Sequence, residues 1–249
     1  MTDAAPLLAA SGLEKVYRRW TVGGTVQVPV LAGAELVLAR GERVAIQGDS
    51  GVGKTTLLNV LGGLDRPDAG SIVHLGREIP ADAGERARWR RNSVGFVFQF
   101  HGLLAEFTAE ENVALAGLIR GWPRREALRR ALSLLDALGL AARAEHYPAE
   151  LSGGEQQRVA IARAVVCGPS LVLADEPTGN LDPRTGDAVL DRLIELQERD
   201  GFGLVVATHS ARLARRCHRT LRLASGRLEA AEAVDLTPRP AGAGDGASR

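Results

Sequence analysis

The stretch Gly48-Asp-Ser-Gly-Val-Gly-Lys-Thr55 constrains this chain more than any other. It follows Arg43-Val-Ala-Ile-Gln47, which reads as a buried strand. It precedes Lys54–Leu61, which reads as a helix ended by Gly62-Gly63. Glycines at this spacing let backbone N–H groups wrap a phosphate chain, and the helix start adds the positive end of its dipole. Lys54 is placed to reach the β- and γ-phosphates of ATP, and the Thr55 hydroxyl to ligate Mg²⁺. Gly48, Ser50, Gly51, Gly53, Lys54, Thr55 and Thr56 are therefore candidate nucleotide-binding residues. The bland alternative is a glycine-rich turn at a helix start, and the strand before it and the lysine within it argue against that. Lys15 and Lys54 are the only lysines among 31 Lys and Arg. A lysine kept against such a bias hints at a position that needs a compact ammonium and not a planar fork.

Two further motifs lie downstream. Leu171-Val-Leu-Ala-Asp175-Glu176-Pro177 is an apolar strand ending in adjacent carboxylates. Side chains alternate along a strand, so the two point differently. Asp175 is placed to hold Mg²⁺ and Glu176 to act as general base on the attacking water. An acidic pair after a strand is by itself usually a solvated loop or a helix cap; its distance downstream of the phosphate loop removes most of that doubt. Leu151-Ser152-Gly153-Gly154-Glu155-Gln156-Gln157 reads, as a bare string, only as a helix N-cap with a flexible lead-in.

The rest of the chain reads as α/β. Leu13–Tyr17, Val26–Val30 and Glu35–Ala39 are β-like, with Gly23-Gly24 as a turn, and Ser71–Leu75 and Val94–Phe98 are further strands. Glu110–Arg120 reads as a helix. Pro123 suits the first turn of another, in which Leu128, Leu132, Leu135 and Leu138 repeat at helical spacing up to Gly139. A helix over Gly153–Val166, a strand over Leu171–Ala174, a helix over Arg184–Glu198 and a strand over Leu204–Ala207 follow. This alternation predicts a mainly parallel sheet covered on both faces, with an N-terminal antiparallel β region and a helical insert over about residues 100–151. Residues 1–229 are expected to form one domain. The Ala/Gly/Pro-rich stretch 230–249 is expected to be a disordered tail.

The three motifs together resemble the ATP-hydrolysing domains of ABC transporters, which carry Leu-Ser-Gly-Gly between the two phosphate-site motifs. The resemblance spans about Leu7–Glu229 and implies a P-loop NTPase fold of ABC type. It implies that Ser152, Gly153 and Gly154 contact ATP held by a second copy of the chain in a head-to-tail dimer. A helix N-terminus with bare N–H groups suits a phosphate already held on one side. It further matches Gln99 to a glutamine that touches Mg²⁺ and the attacking water. Gly179-Asn-Leu-Asp182 matches the loop that pairs the subunits, with Asp182 counted among the nucleotide-binding residues, and His209 matches a histidine at the γ-phosphate. Tyr17 matches an aromatic that stacks on adenine, although on residue type alone it is equally an ordinary strand tyrosine. All of these motifs are intact, so both composite sites of a homodimer are expected to be competent.

The segment Gln99-Phe-His-Gly-Leu-Leu-Ala-Glu-Phe-Thr-Ala-Glu-Glu-Asn-Val113 is similar to that of the ATPase subunits of lipoprotein-releasing systems. Their relatives, the macrolide-exporter ATPases and the cell-division ATPase FtsE, share the neighbouring motifs. Gly102, Ala105 and Ser210 depart from the usual histidine, proline and aspartate of that pattern. The resemblance implies integral membrane permeases as separate partner chains, a peripheral place on the cytoplasmic face of the inner membrane, and release of lipoproteins toward the outer membrane. Phe100, Leu103, Leu104 and Phe107 form either a socket for a short permease helix or the insert's own core.

Composition narrows the alternatives. A net charge of +1 lacks the basic footprint of a nucleic-acid binder, so no nucleic-acid partner is expected. A single cassette also argues against the ABC ATPases that act on DNA or ribosomes, which usually link two. No apolar run reaches the ~18 residues of a membrane span. Asp3 and the missing basic n-region argue against a signal peptide. Cys167 and Cys217 stand in no metal-ligand spacing and read as reduced thiols.

Overall fold

The computed structural model describes residues 5–21 and 24–231. Its centre is a six-stranded sheet of β3 (Arg43–Gln47), β6 (Val94–Val97), β7 (Leu171–Asp175), β8 (Gly203–Ala207), β9 (Arg219–Ala224) and β10 (Arg227–Ala230). Its order is β10-β9-β3-β8-β7-β6. All pairs are parallel except β9 with the edge strand β10. A second, antiparallel sheet has the order β2-β1-β4-β5, from β1 (Leu8–Thr21), β2 (Gly24–Leu38), β4 (Ala69–His74) and β5 (Arg77–Glu78).

Strand alternation divides the core. Leu171, Leu173, Val205 and Ala207 face α1 (Lys54–Leu61) and the antiparallel sheet, where Leu8, Leu13, Leu31 and Leu38 complete one cluster. Val172, Ala174, Leu204 and Val206 face the opposite way. They pack with α3 (Ala109–Ile119), α4 (Arg124–Ala137), α5 (Gly153–Val165) and α6 (Pro183–Asp200). Strands buried on both faces explain the unbroken apolar runs of the sequence.

Several elements differ from the sequence reading. Val26–Val30 and Glu35–Leu38 belong to one strand, β2, with Ala39 just past its end, and its pairing with β1 slips at Gly33 (φ 89°) as a bulge. Of the expected Gly23-Gly24 turn, Gly23 lies outside the described residues. Pro123 is the N-cap of α4 and not its first helical residue. That helix buries Ala127, Ala131, Leu134 and Leu135, while Leu132 is exposed. Helix α2 (Ala83–Ser93) had no expectation at all. It buries no residue, so it shows no apolar stripe, and polar ties hold it. The Asp82 side chain caps it, Arg90 donates to Gly63 O at 2.8 Å, and Trp89 Nε1 donates to His74 Nδ1 at 3.2 Å. Ordered structure continues to the end of β10 at Ala230, and Ala231 N donates to Thr220 O. The remaining stretch expected to be a tail, 232–249, lies outside the described residues.

Candidate active site

Parallel strands put their carboxyl ends on one edge, and the candidate residues follow the ends of four adjacent strands. The phosphate loop leaves β3, Thr208 and His209 leave β8, Asp175 ends β7 with Glu176 next, and Gln99 lies just past β6. In the loop, Gly53 adopts φ 111°, and a Cβ there would fall 2.5 Å from Val30 Cγ1. Both facts require glycine at the N-cap of α1. Lys54 is buried, and its Nζ donates to Gly48 O at 2.9 Å and Asp49 O at 3.0 Å. The ammonium is thus held inside the loop it would serve. Ser50, Gly51 and Thr55 are exposed, and Thr56 is half-buried.

Asp175 shares its strand face with Leu171 and Leu173, the face turned toward α1. Thr55 Oγ1 accordingly donates to Asp175 Oδ2 at 2.6 Å. A hydroxyl and a carboxylate side by side are the hard oxygen donors that Mg²⁺ takes, so this pair fits the ion. The Gln99 carbonyl accepts from Asn180 Nδ2 at 3.0 Å. Among the described residues no hydrogen bond joins the Gln99 side chain to Thr55 or Asp175.

Glu176 has φ 43°, one of three non-glycine residues with positive φ among the described residues. Its backbone is pinned there by Glu176 N donating to Ala207 O and Gly179 N donating to Glu176 O. Such strain persists only where the surroundings enforce it, and it aims the carboxylate away from the Asp175 face. Oε2 accepts from His209 N at 3.2 Å. Oε1 lies 3.3 Å from His209 Nε2 but is buried without a hydrogen-bond partner. The same Nε2 lies 3.0 Å from Lys54 Nζ. An ammonium only donates, so Nε2 accepts and the ring proton sits on Nδ1. Oε1 is thereby left as an open, buried acceptor, the arrangement that a water O–H can satisfy.

The signature loop is built as a helix start. Ser152 caps α5 in a capping box: Glu155 N approaches Ser152 Oγ at 3.4 Å, while Ser152 N and Oγ donate to Glu155 Oε2 at 2.8 and 2.7 Å. Ser152 and Gly153 are exposed, and Gly154 is buried against Thr185 of α6. Among the described residues no hydrogen bond links 152–154 to the phosphate loop of the same chain. Asp182 caps α6, accepting from Arg184 N and Thr185 N at 3.1 Å each. Ser210 likewise caps the short α7 (Ala211–Ala214), so serine here retains the capping chemistry of the aspartate it replaces.

Hydrogen bonds from the Ser152 hydroxyl and backbone, with Arg143 beyond them, hold the Glu155 carboxyl at about 2. A depressed carboxylate contributes stability above its ordinary value of 4.5, and that stability is lost as pH falls toward 2. Glu155→Gln is expected to lower the melting temperature at pH 6. The deficit should shrink steadily when both proteins are melted in buffers approaching pH 2. A deficit of constant size would remove the charge from the explanation.

Sequence reasoning missed what holds the segment after Gln99. Arg163 of α5 donates to the carbonyls of Gly102 and His101 at 2.6 and 2.7 Å. Gly102 has φ 59°, a backbone that the usual histidine would adopt with strain. Fully buried Asn112 accepts from Leu104 N and donates to the carbonyls of Leu104, Phe107 and Thr108. Phe100, Leu104 and Phe107 remain exposed, while Leu103 packs on the core. Val28 was also missed. It pairs directly with Tyr17 across β1 and β2, which puts the two side chains on one face.

A glycine loop between a parallel strand and a helix, with carboxylates at the end of the next strand but one, defines a phosphate-loop nucleotide hydrolase. The family model for ABC transporters matches residues 31–179. The chain is 51% identical over 224 residues to the lipoprotein-releasing system ATP-binding protein LolD of Chromohalobacter salexigens, covering 89% of this chain and 92% of that protein. It is 51% identical over 226 residues to LolD of Pseudomonas fluorescens, covering 90% and 97%. Among solved structures, the dimeric post-hydrolysis ATP-binding cassette MJ0796 with ADP and phosphate superimposes with a TM-score of 0.81 at 37% identity, covering 89% of this chain and 96% of that one. This chain belongs to the ABC transporter family, as one of its ATPase domains.

Proposed function

We propose that this chain is the ATP-hydrolysing subunit of a transporter that releases lipoproteins from the inner membrane. The observation that carries the ATPase reading is the strand-end cluster: Lys54 in its loop, the Thr55–Asp175 oxygen pair, and the open Oε1 of Glu176 beside His209. Two copies close head to tail, each phosphate chain gripped by the loop of one copy and by Ser152, Gly153 and Gly154 of the other. The exposed signature start, with no tie to its own phosphate loop, supports a site completed by a second chain. The loop ending at Asp182 lies beside it and pairs the copies.

Bound Mg²⁺, held by Thr55 and Asp175 with Gln99 nearby, would neutralise the charge on the β- and γ-phosphates. Lys54 binds the same oxygens, and Glu176 accepts the proton of the attacking water at Oε1. His209 holds the γ-phosphate side, and Tyr17 with Val28 makes the platform for the base. Hydrolysis of this kind depends on position and charge more than on new covalent chemistry. Opening of the dimer would shift the segment after Gln99, where exposed Phe100, Leu104 and Phe107 suit a short permease helix.

No helix among the described residues is long and apolar enough to cross a membrane. The likeness to subunits of lipoprotein-releasing systems supports a place at the cytoplasmic face, peripheral to permease subunits supplied as other chains. The assignment to lipoproteins rests on the LolD relatives and on the 99–113 segment. Purification from detergent-solubilised membranes is expected to recover permeases with a large periplasmic domain, identified by mass. Recovery with ribosomes or DNA would overturn the transport reading.

A further inference from the structure

One of the two lysines in this arginine-rich chain serves the phosphates; the other, Lys15, has no part in the site described above. Lys15 is buried, 9% exposed. Its Nζ donates to Asp65 Oδ1 at 2.9 Å and to Arg66 O at 2.7 Å. It also lies 5.3 Å from the centre of the Tyr17 ring. Asp65 uses its other oxygen, Oδ2, to accept from the Tyr17 hydroxyl at 2.7 Å. Asp65 itself is anchored beyond the end of α1, where Leu64 N and Asp65 N both donate to Asn59 O.

We propose that Lys15 and Asp65 are positioning residues that lock the Tyr17 ring as a preformed platform for the nucleotide base. The proposal rests on the reading of Tyr17 as the base-stacking aromatic. Tyr17 sits on the exposed part of β1, where a strand tyrosine is free to change rotamer. The hydroxyl tether to Asp65 removes that freedom. Lys15 fixes the carboxylate in turn, and its three N–H donors reach both the carboxylate and the Arg66 carbonyl from one compact head. A guanidinium presents its donors as a wider planar fork, in place of one compact head that turns between the two acceptors. Because α1 begins at Lys54, the relay also ties the base platform to the helix that carries the phosphate site.

A ring already in its bound rotamer loses less freedom on binding. The benefit is confined to ligands with a base, which separates it from general stability. Calorimetric titration of the full-length protein with MgATP and with magnesium tripolyphosphate reads the difference. Tyr17→Ala, Tyr17→Phe, Lys15→Met and Asp65→Asn are compared with the parent. Tyr17→Phe keeps the ring on an exposed strand, so folding is not at risk. It is expected to weaken MgATP by about three- to tenfold, the worth of one immobilised side chain, with tripolyphosphate affinity unchanged. Lys15→Met and Asp65→Asn should do the same, and combining either with Tyr17→Phe should add little. If Tyr17→Ala weakens MgATP while Tyr17→Phe and Lys15→Met bind like the parent, the relay is overturned and the platform stands. If Tyr17→Ala also binds MgATP like the parent, the platform reading itself falls.

Discussion

Glu176→Gln is expected to reduce ATP turnover by about 10²- to 10⁴-fold, the usual contribution of a general base. Oε1 is the one carboxylate oxygen at this site that is buried without a hydrogen-bond partner. Glutamine preserves the acceptor for His209 N but offers an N–H where the water proton must go. The shape, the strained backbone and the nucleotide contacts stay as they are, so binding and closure survive. Closed dimers should therefore accumulate with rising ATP, because a ligand held only by the closed form stabilises that form by mass action. Size-exclusion chromatography with and without MgATP, beside a phosphate-release assay, reads both effects. Hydrolysis at the parental rate would remove Glu176 from the reaction, and ATP-independent dimers would remove nucleotide from the interface.

The second large effect concerns binding. Lys54→Met is expected to weaken MgATP by about 10²-fold or more, since hydrogen bonds to charged groups contribute about 1.5–3 kcal/mol each and Lys54 can make two. Methionine fills much of the same buried space, which limits the structural damage. The carbonyls of Gly48 and Asp49 lose their donor, yet both lie in a loop within reach of water. Equilibrium titration with MgATP, together with a thermal melt, separates lost contact from lost folding. An unchanged affinity would mean that the ammonium remains within its own loop and does not reach the phosphates.

The phosphate loop and the Asp175-Glu176 strand end were readable because their chemistry is local, whereas the signature by itself read only as a helix N-cap. Each needs particular residue types at short spacing beside a strand or helix that announces itself by its apolar run. What remained hidden depends on contacts far apart in sequence. Helix α2 carries no apolar face, and its ties run to Gly63 and His74. The pairing of His209 Nε2 with Lys54 arises only when β3 and β8 become neighbours. The positive φ of Glu176 has no signature in the residue type. Ser152 and Asp182 illustrate a different gap. The resemblance gave Ser152 to a nucleotide held by the second copy and Asp182 to the loop that pairs the subunits, and both also cap helices within their own chain. Lys15 stood out in composition, but its purpose became visible only with Asp65 and Tyr17 beside it.

The grip of Arg163 on the carbonyls after Gln99 has a mechanical corollary. Ten residues of helix separate Gly153 from Arg163, a span of about 15 Å. One stiff rod thus has the signature at its tip and the segment after Gln99 at its heel. Neither end can swing without the other following, so a single rotation would be felt at the membrane side and at the subunit seam together.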